Sequence, residues 1–316
     1  MSNQDKILVS VIIPSYNRAN TVGETIESIV AQEGRGSEFD VEIVIGDDCS
    51  KDNAREVLEQ YRQKYPDVIR LFFRDQNVGL GANWAMCVKD CRGKYICNCD
   101  NDDYWHNTQK LRLQLEHMES HPDCNICITN HRTHNRSTDE IKEETVDLHQ
   151  YSNLQDQMYN GGHFCNATIM YRADFMKTHL DEFIHRHFGL QDWPAWVILT
   201  AYTGIDLLPI STATFGIETT SITRPDTYEA LENRLDQDES CARYLGELFP
   251  KYHFDEEDWK RNKNTRLLGL AYKKCDYRKA HQLAKDGTYN GMNAKMAHCF
   301  VTFYGYCLLR KIKSVL

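Results

Sequence analysis

Between residues 7 and 129, short apolar runs alternate with segments of helical period, and few folds accommodate that order. The run 7–13 is near-continuously apolar, with Val9, Val11, Ile12 and Ile13, as a strand covered on both faces would be. It is expected to end at Pro14. Val22, Ile26, Ile29 and Val30 then recur along one helix face and predict a helix over 21–32. The pair repeats as a strand over 41–45 and a helix marked by Val57, Leu58, Tyr61 and Tyr65. A strand over 68–73 and a helix over 80–91 follow, then a strand over 95–99 and a helix marked by Leu111, Leu115 and Met118. One more strand is expected over 125–129. Such alternation predicts an α/β fold, a mostly parallel sheet with helices on both faces.

Sheets of this kind bind ligands beyond the carboxyl ends of their strands. Here those positions are polar: Pro14, Ser15, Tyr16, Asn17 and Arg18 follow the first strand, Asp47 and Asp48 the second, and Asp100, Asn101, Asp102 and Asp103 the fourth. Three carboxylates in four residues repel one another. A hard divalent cation relieves that repulsion, and Mg2+ or Mn2+ binds one or two carboxylates while also holding substrate phosphates. A solvated acidic turn is the plainer alternative. The position after a buried strand, with Asp47 and Asp48 at another strand end, favours the metal. Such a cation would act where a diphosphate leaves, by neutralising the charge that develops. No G-x-x-x-x-G-K-[ST] loop and no G-x-G-x-x-G after a strand is present, which disfavours an ordinary NTPase or dinucleotide-dependent dehydrogenase.

A net charge of -9 argues against a nucleic-acid partner, whose phosphates need clustered Lys and Arg. The 12 cysteines, with no secretory leader pattern at residues 1–10, are expected as reduced thiols in a cytoplasm. No run approaches the roughly eighteen apolar residues of a membrane span. The apolar stretch 296–309, followed by Arg310, Lys311 and Lys313, fits either a buried terminal helix or one lying on an anionic membrane surface. Peripheral contact through 296–316 at the inner face of the plasma membrane is thus one of two readings, and an oligomer contact a further use for that region. The acidic stretch 139–157 predicts a mobile surface segment. Leu231, Leu235, Leu245, Leu248, Leu267, Leu268 and Tyr272 predict amphipathic helices, so domains of 1–220 and 221–316 are expected. His117, His121, Cys124 and Cys127 have zinc-like spacing, but strand alternation turns Cys124 and Cys127 to opposite faces and disfavours that set.

Five stretches carry a resemblance: Val9-Ser10-Val11-Ile12-Ile13-Pro14-Ser15-Tyr16-Asn17-Arg18, Ile45-Gly46-Asp47-Asp48-Cys49-Ser50, Asn77-Val78-Gly79, Gly93-Lys94-Tyr95-Ile96 and Asp100-Asn101-Asp102-Asp103-Tyr104-Trp105. In order and spacing, residues 1–220 resemble the family 2 glycosyltransferases, and look most like bacterial enzymes of capsule or O-antigen synthesis. The resemblance implies a GT-A fold, a nucleotide-diphosphate sugar donor (a UDP-sugar first), a saccharide hydroxyl as acceptor, Mn2+ or Mg2+, and inversion by a single displacement. If the terminal segment meets a membrane, the acceptor would be lipid-diphosphate-linked. The resemblance also implies roles. Pro14, Ser15 and Tyr16 would line the nucleobase pocket, with Arg18 and Asn77 in the donor site. Asp48, with Asp47 beside it, would contact the base, Asp100 the ribose and the metal, and Asp102 the metal, leaving Asp103 as a structural neighbour.

In Gln191-Asp192-Trp193-Pro194, Asp192 resembles the family's acidic residue before an aromatic helix and is the candidate general base. It equally suits the N-cap of a helix over 193–202. Trp193 and His163 are placed on the acceptor side, His163 with Gly161, Gly162 and a strand over 168–172. Two departures stand out. Residues 213–218, expected as a loop closing on the diphosphate, lack the Arg and His that relatives often carry. Cys49 replaces a more usual Gly, a change expected to be mild if the turn needs only a small residue. A sugar-phosphate nucleotidyltransferase and a non-catalytic donor-binding relative are the alternative functions.

Overall fold

The first strand forms because its side chains have no solvent face to satisfy: Val9, Val11, Ile12 and Ile13 are all fully buried in β1 (Ile7–Ser15). The computed structural model describes residues 6–148, 157, 164–178, 180–181, 192–217, 226–250 and 254–285. The expectations for Gly161, Gly162, His163, Gln191, Glu218 and the segment 296–316 lie outside these residues. Two compact units are present, Met1–Ser221 and Ile222–Leu316.

In the first unit β1 is followed by α1 (Val22–Val30), β2 (Phe39–Asp47), α2 (Ala54–Lys64), β3 (Ile69–Phe73), α3 (Leu80–Asp90), β4 (Tyr95–Asn98) and α4 (Lys110–Ser120). Each expected strand and helix of this stretch is present, with ends moved by one to three residues. β1 runs through Pro14 to Ser15, because its ladder with β4 stops at Ile12 and the proline loses no partner there. Val22, Ile26 and Ile29 of α1 are buried in the same core as the strands, and each such side chain contributes roughly 1.5–3 kcal/mol.

The chain continues through β5 (Ile126–Asn135), β6 (Glu140–Glu144), a 3-10 turn (Asn166–Thr168), β7 (Met170–Arg172), α5 (Ala173–Lys177), α6 (Asp192–Thr203) and β8 (Asp206–Ile217). The sheet order is β3-β2-β1-β4-β7-β5-β6, with β8 paired to β5. β1 to β4 are parallel, β7 is antiparallel to β4 and β5, and β8 runs parallel to β5. Strand order reverses between β1 and β4, since β1 leads outward to β2 and β3 while β4 leads the other way. A crevice opens at such a switch point, at the carboxyl ends.

Two expectations are corrected. Residues 140–144 are exposed, as expected of a surface segment, yet they form a strand, with Arg132 of β5 paired to Glu143 across the ladder. Residues 213–217 are not a loop but the end of β8. Its buried Thr212 meets Thr129 of β5 through a 2.6 Å hydroxyl bond, so polar residues build a strand whose apolar signal is faint.

The second unit contains α7 (Tyr228–Leu248), α8 (Glu256–Lys273) and α9 (Tyr277–Lys285). Leu235, Leu267, Leu268, Ala271, Ala280 and Leu283 form its core. Thr227 and Asp255 start α7 and α8 by accepting the N–H groups of Ala230 and Asp258. Tyr272, expected on the apolar face, is mostly exposed. No helix among the described residues is long and apolar enough to cross a membrane. The described cysteines are free thiols.

Candidate active site

The polar residues after β1 and β2 lock those strand ends together. Asn17 takes a left-handed backbone (φ 53°), donates its N–H to Ser50 Oγ (2.9 Å) and accepts the Lys51 N–H on Oδ1 (2.7 Å). Asp47 is fully buried and its Oδ2 accepts from Ser50 N (3.2 Å) and Arg55 Nε (2.8 Å). The Asp48 N–H donates to the Ser15 carbonyl, and its carboxylate accepts the N–H groups of Val78 (2.8 Å) and Gly79 (3.0 Å) just before α3. Asn77 Nδ2 closes this turn onto the Asp48 carbonyl (3.2 Å). Each Asp48 oxygen retains acceptor capacity beyond that bond. Tyr16 stands at the rim, 39% exposed. Cys49 sits at φ 62°, so the turn asks for glycine's conformational freedom, and the expectation that small size suffices is corrected.

The turn after β4 is built differently. Asn101 Nδ2 donates to the buried Ser15 Oγ (3.1 Å), pinning the turn to the end of β1. Asp100 accepts Asn166 Nδ2 on both oxygens (3.1 and 3.0 Å), and Asn166 is held by Asn98 Nδ2 (2.8 Å). Burial pushes the Asp100 carboxyl up to about 7, the Asn166 bonds work against this, and the charges of Asp102 and Asp192 push further upward. The fold therefore brings Asp192, at the first turn of α6, into electrostatic contact with a residue far from it in sequence. Asp192 Oδ1 also accepts the Trp193 N–H (2.8 Å) at the start of that helix. Trp193 is buried, its indole N–H on the Gln157 carbonyl (2.6 Å), which places it in the wall of the fold.

Asp102 Oδ2 lies 3.4 Å from Arg18 Nε, and its carbonyl accepts from the Arg136 guanidinium (2.8 Å). Asp103 is fully buried. Its carbonyl takes the Thr25 hydroxyl (2.6 Å), and Oδ1 takes the Gly216 N–H (2.9 Å) from β8. Its Oδ2 has no partner. Burial, then Asp102 and Asp100, push this carboxyl well above its ordinary value, against the Gly216 N–H and Arg136. A Cβ at Gly216 would overlap the Asp102 carbonyl, so only glycine lets β8 approach the acidic turn. Arg136, from the turn after β5, also reaches this point and bonds Glu24 (2.8 Å). Residues 213–217 themselves carry no positive charge, and the cation beside them is Arg136, ion-paired to Glu24.

Pro14, Ser15, Tyr16, Arg18, Asp47, Asp48, Asp100 and Asp102 stand at or just after the carboxyl ends of β1, β2 and β4, Asn77 in the turn before α3 and Asp192 at the start of α6. The sequence reading missed Asn166, Arg136 and Gly216. Asn98, a polar residue inside a buried strand, was the one signal that pointed toward Asn166. The acidic turn fits a hard divalent cation on its own chemistry: the donors of Asp100 and Asp102 are all oxygens, and neighbouring carboxylates here raise one another's proton affinity.

Residues 10–180 match the family described as Glycosyl transferase family 2. TuaG of Bacillus subtilis, named for teichuronic acid biosynthesis, is 36% identical over 113 residues, 36% of this chain and 42% of its own length. The first curated relatives are matched over 34% to 42% of their length. Among solved structures, S. aureus TarS 1-349 in complex with UDP-GlcNAc superposes with a TM-score of 0.55 at 18% identity, covering 91% of this chain and 94% of that one. The mannosyltransferase PcManGT of Pyrobaculum calidifontis, in complex with GDP-Man and Mn2+, gives 0.52 at 13% identity, covering 99% and 88%. At such identities these likenesses establish a shared fold.

Proposed function

The chain belongs to glycosyl transferase family 2, and from that premise we propose that it moves a sugar from a nucleotide diphosphate to a saccharide hydroxyl with inversion. The observation that carries this reading is the acidic turn Asp100–Asp103 at the β1/β4 switch point, clasped by Gly216 and electrostatically coupled to Asp192. A UDP-sugar is the first donor to consider, since TarS, which shares the fold, holds UDP-GlcNAc.

In this reading Pro14, Ser15 and Tyr16 flank the nucleobase, Asp48 after β2 and Asn77 before α3 meet its edge, and Asp100 takes the ribose. Asp102 and Asp100 would hold Mn2+ or Mg2+, which when bound neutralises charge on the departing diphosphate. Arg18, paired with Asp102, and Arg136, which bonds the Asp102 carbonyl, bring cationic charge to the acidic turn. Asp192 accepts the proton of the acceptor hydroxyl as its oxygen attacks, which inverts the anomeric carbon in one displacement. Asp103 holds β8 in place through the Gly216 N–H. The buried Trp193 supports the start of α6, and the family resemblance would assign His163 to the acceptor side.

The non-catalytic alternative rested on a missing positive charge at 213–218; Arg136, beside Gly216, supports the catalytic reading, and donor turnover decides between the two. The setting in this reading is assembly of a cell-surface polysaccharide, capsule or O-antigen, at the cytoplasmic face; TuaG's name, for teichuronic acid biosynthesis, supports only the polysaccharide part. Residues 296–316 would make the peripheral contact there, with a lipid-diphosphate-linked saccharide as acceptor.

The test is a thermal-shift and donor-hydrolysis screen of UDP-, GDP- and dTDP-sugars, with and without Mn2+, on wild type and Asp102→Ala. One nucleotide class should stabilise the wild type only with metal and be slowly hydrolysed, and Asp102→Ala should lose both responses. No response from the wild type to any donor would overturn the reading.

A further inference from the structure

We propose that His117, Cys124 and Asp206 form a second metal site, of zinc type, at the opposite end of β8 from the acidic turn. His117 Nε2 comes from α4, Cys124 Sγ from the turn before β5, and Asp206 from the first residue of β8; the three ligand atoms lie within 4.8 Å of one another. Tetrahedral zinc with bonds of about 2.0–2.3 Å places its ligands roughly 3.3–3.8 Å apart, so small side-chain movements would seat an ion here. His117 Nε2 already stands 2.8 Å from Asp206 Oδ2. The His117 ring is steadied by stacking on His121, with centroids 4.3 Å apart and planes at 25°.

The donor chemistry selects the metal. Nitrogen, sulfur and oxygen together suit Zn2+ and its neighbours, whereas Mg2+ and Ca2+ prefer oxygen alone. A divalent ion with one thiolate, one carboxylate and a neutral imidazole leaves the site uncharged, with a fourth position for water. Burial and the Asp206 charge hold the Cys124 thiol up to about 12. Metal binding would therefore break the S–H bond, form a metal–sulfur bond and release one proton to solvent. Access is available, since the Asp206 side chain is 45% exposed.

The set differs from the one suggested by spacing. Cys127 is buried in the core on β5, and Asp206 arrives instead from a distant stretch of chain. What it would fasten is the start of β8. Asp206 pairs with Cys127 on the first rung of the β5–β8 ladder, before the register shifts on either side of Asn130 that leave Pro209, Ile210 and Thr212 without rungs. At the far end, roughly 30 Å away by strand rise, the same strand holds Asp103 through Gly216.

The experiment uses the full chain, stripped by chelation and titrated with Co2+. Wild type should bind with a near-ultraviolet thiolate-to-cobalt band that persists in Asp102→Asn, because the acidic turn offers no sulfur and cannot produce that band. Cys124→Ser should abolish the band, and Asp206→Asn, which removes a direct ligand, should weaken Co2+ binding at this site by at least the roughly tenfold that loss of an outer-shell partner costs. If Cys124→Ser fails to fold, the half-exposed Asp206→Asn carries the test: Zn2+ should raise the melting temperature of Asp102→Asn and fail to do so once Asp206→Asn is added. No thiolate band in wild type, a band that survives Cys124→Ser, or equal Zn2+ stabilisation with and without Asp206→Asn would each overturn the proposal. These outcomes are independent of donor hydrolysis, so failure here is distinct from failure of the transferase reading.

Discussion

Glu42 and Asp103 are both carboxylates buried in one sheet, and their surroundings treat them in opposite ways. Glu42, in the amino half of β2, accepts from Ser10 Oγ (2.6 Å), the Arg92 N–H (2.6 Å), Arg92 Nε (2.9 Å) and Arg70 (3.1 Å). Burial pushes its carboxyl upward, but these donors together hold it below its ordinary value. Asp103, at the carboxyl end, has one N–H on its carboxyl group and two aspartates for neighbours, and is driven upward. The amino half completes its charges within the fold. The carboxyl end leaves Asp103 with an unpaired carboxyl oxygen, the kind of imbalance that functional sites concentrate.

The comparison breaks most easily at Glu42. Glu42→Gln should cost about 3 kcal/mol, as expected when a buried ion pair loses one member, with Arg70 and Arg92 tempering the loss by reaching solvent. Urea midpoints would measure it, and donor hydrolysis per folded molecule should change little. A neutral result would mean that the four bonds only offset the burial of the charge.

Gly216→Ala sharpens the other side. The added methyl meets the Asp102 carbonyl, so either β8 or the acidic turn must move. A loss of about 2 kcal/mol is expected from such overpacking, with donor hydrolysis falling further than stability accounts for. If hydrolysis tracked stability alone, the clasp between Gly216 and Asp103 would be a folding device without bearing on the site.

Acid should separate the two regions again. Because the folded pKa of Glu42 is depressed below 4.5, the unfolded chain binds its proton more readily, so the Glu42 contribution is fully present above that pH. It is lost as pH falls through the lower folded value. The wild-type advantage over Glu42→Gln should therefore be constant from pH 7 to about pH 5 and shrink below 4.5, by up to about 1.4 kcal/mol per pH unit. An advantage that held steady at pH 3 would show that the carboxylate is not the source.

Legibility in the sequence followed how each element earns its burial. The β/α alternation through α4 was readable because Val, Ile and Leu carry both the strand and the helix periods. β8 was not, because Thr212 and Thr214 are buried through hydroxyl and backbone bonds and carry no apolar signal. The acidic cluster was visible as composition. Its supports, Asn166 and Arg136 and the N–H of Gly216, come from strands placed beside it by topology, which spacing does not report. His117 and Cys124 were visible in the same way, while their third partner, Asp206, was not.

Cys49 tests the smallest effect and the limit of reading residues by size. It lies between Asp48, whose carboxylate holds the turn before α3, and Ser50, which bonds both Asn17 and Asp47. At φ 62° an L-residue pays about 1–2 kcal/mol for the left-handed region, whereas glycine enters it freely but loses more chain entropy on folding. Cys49→Gly should therefore raise stability by a net amount of about 0.5–1 kcal/mol, read from urea midpoints, with donor binding unchanged. A loss instead would mean that the Cys49 thiol, 3.7 Å from the Asp75 carbonyl, does more to hold the turn than its backbone strain costs.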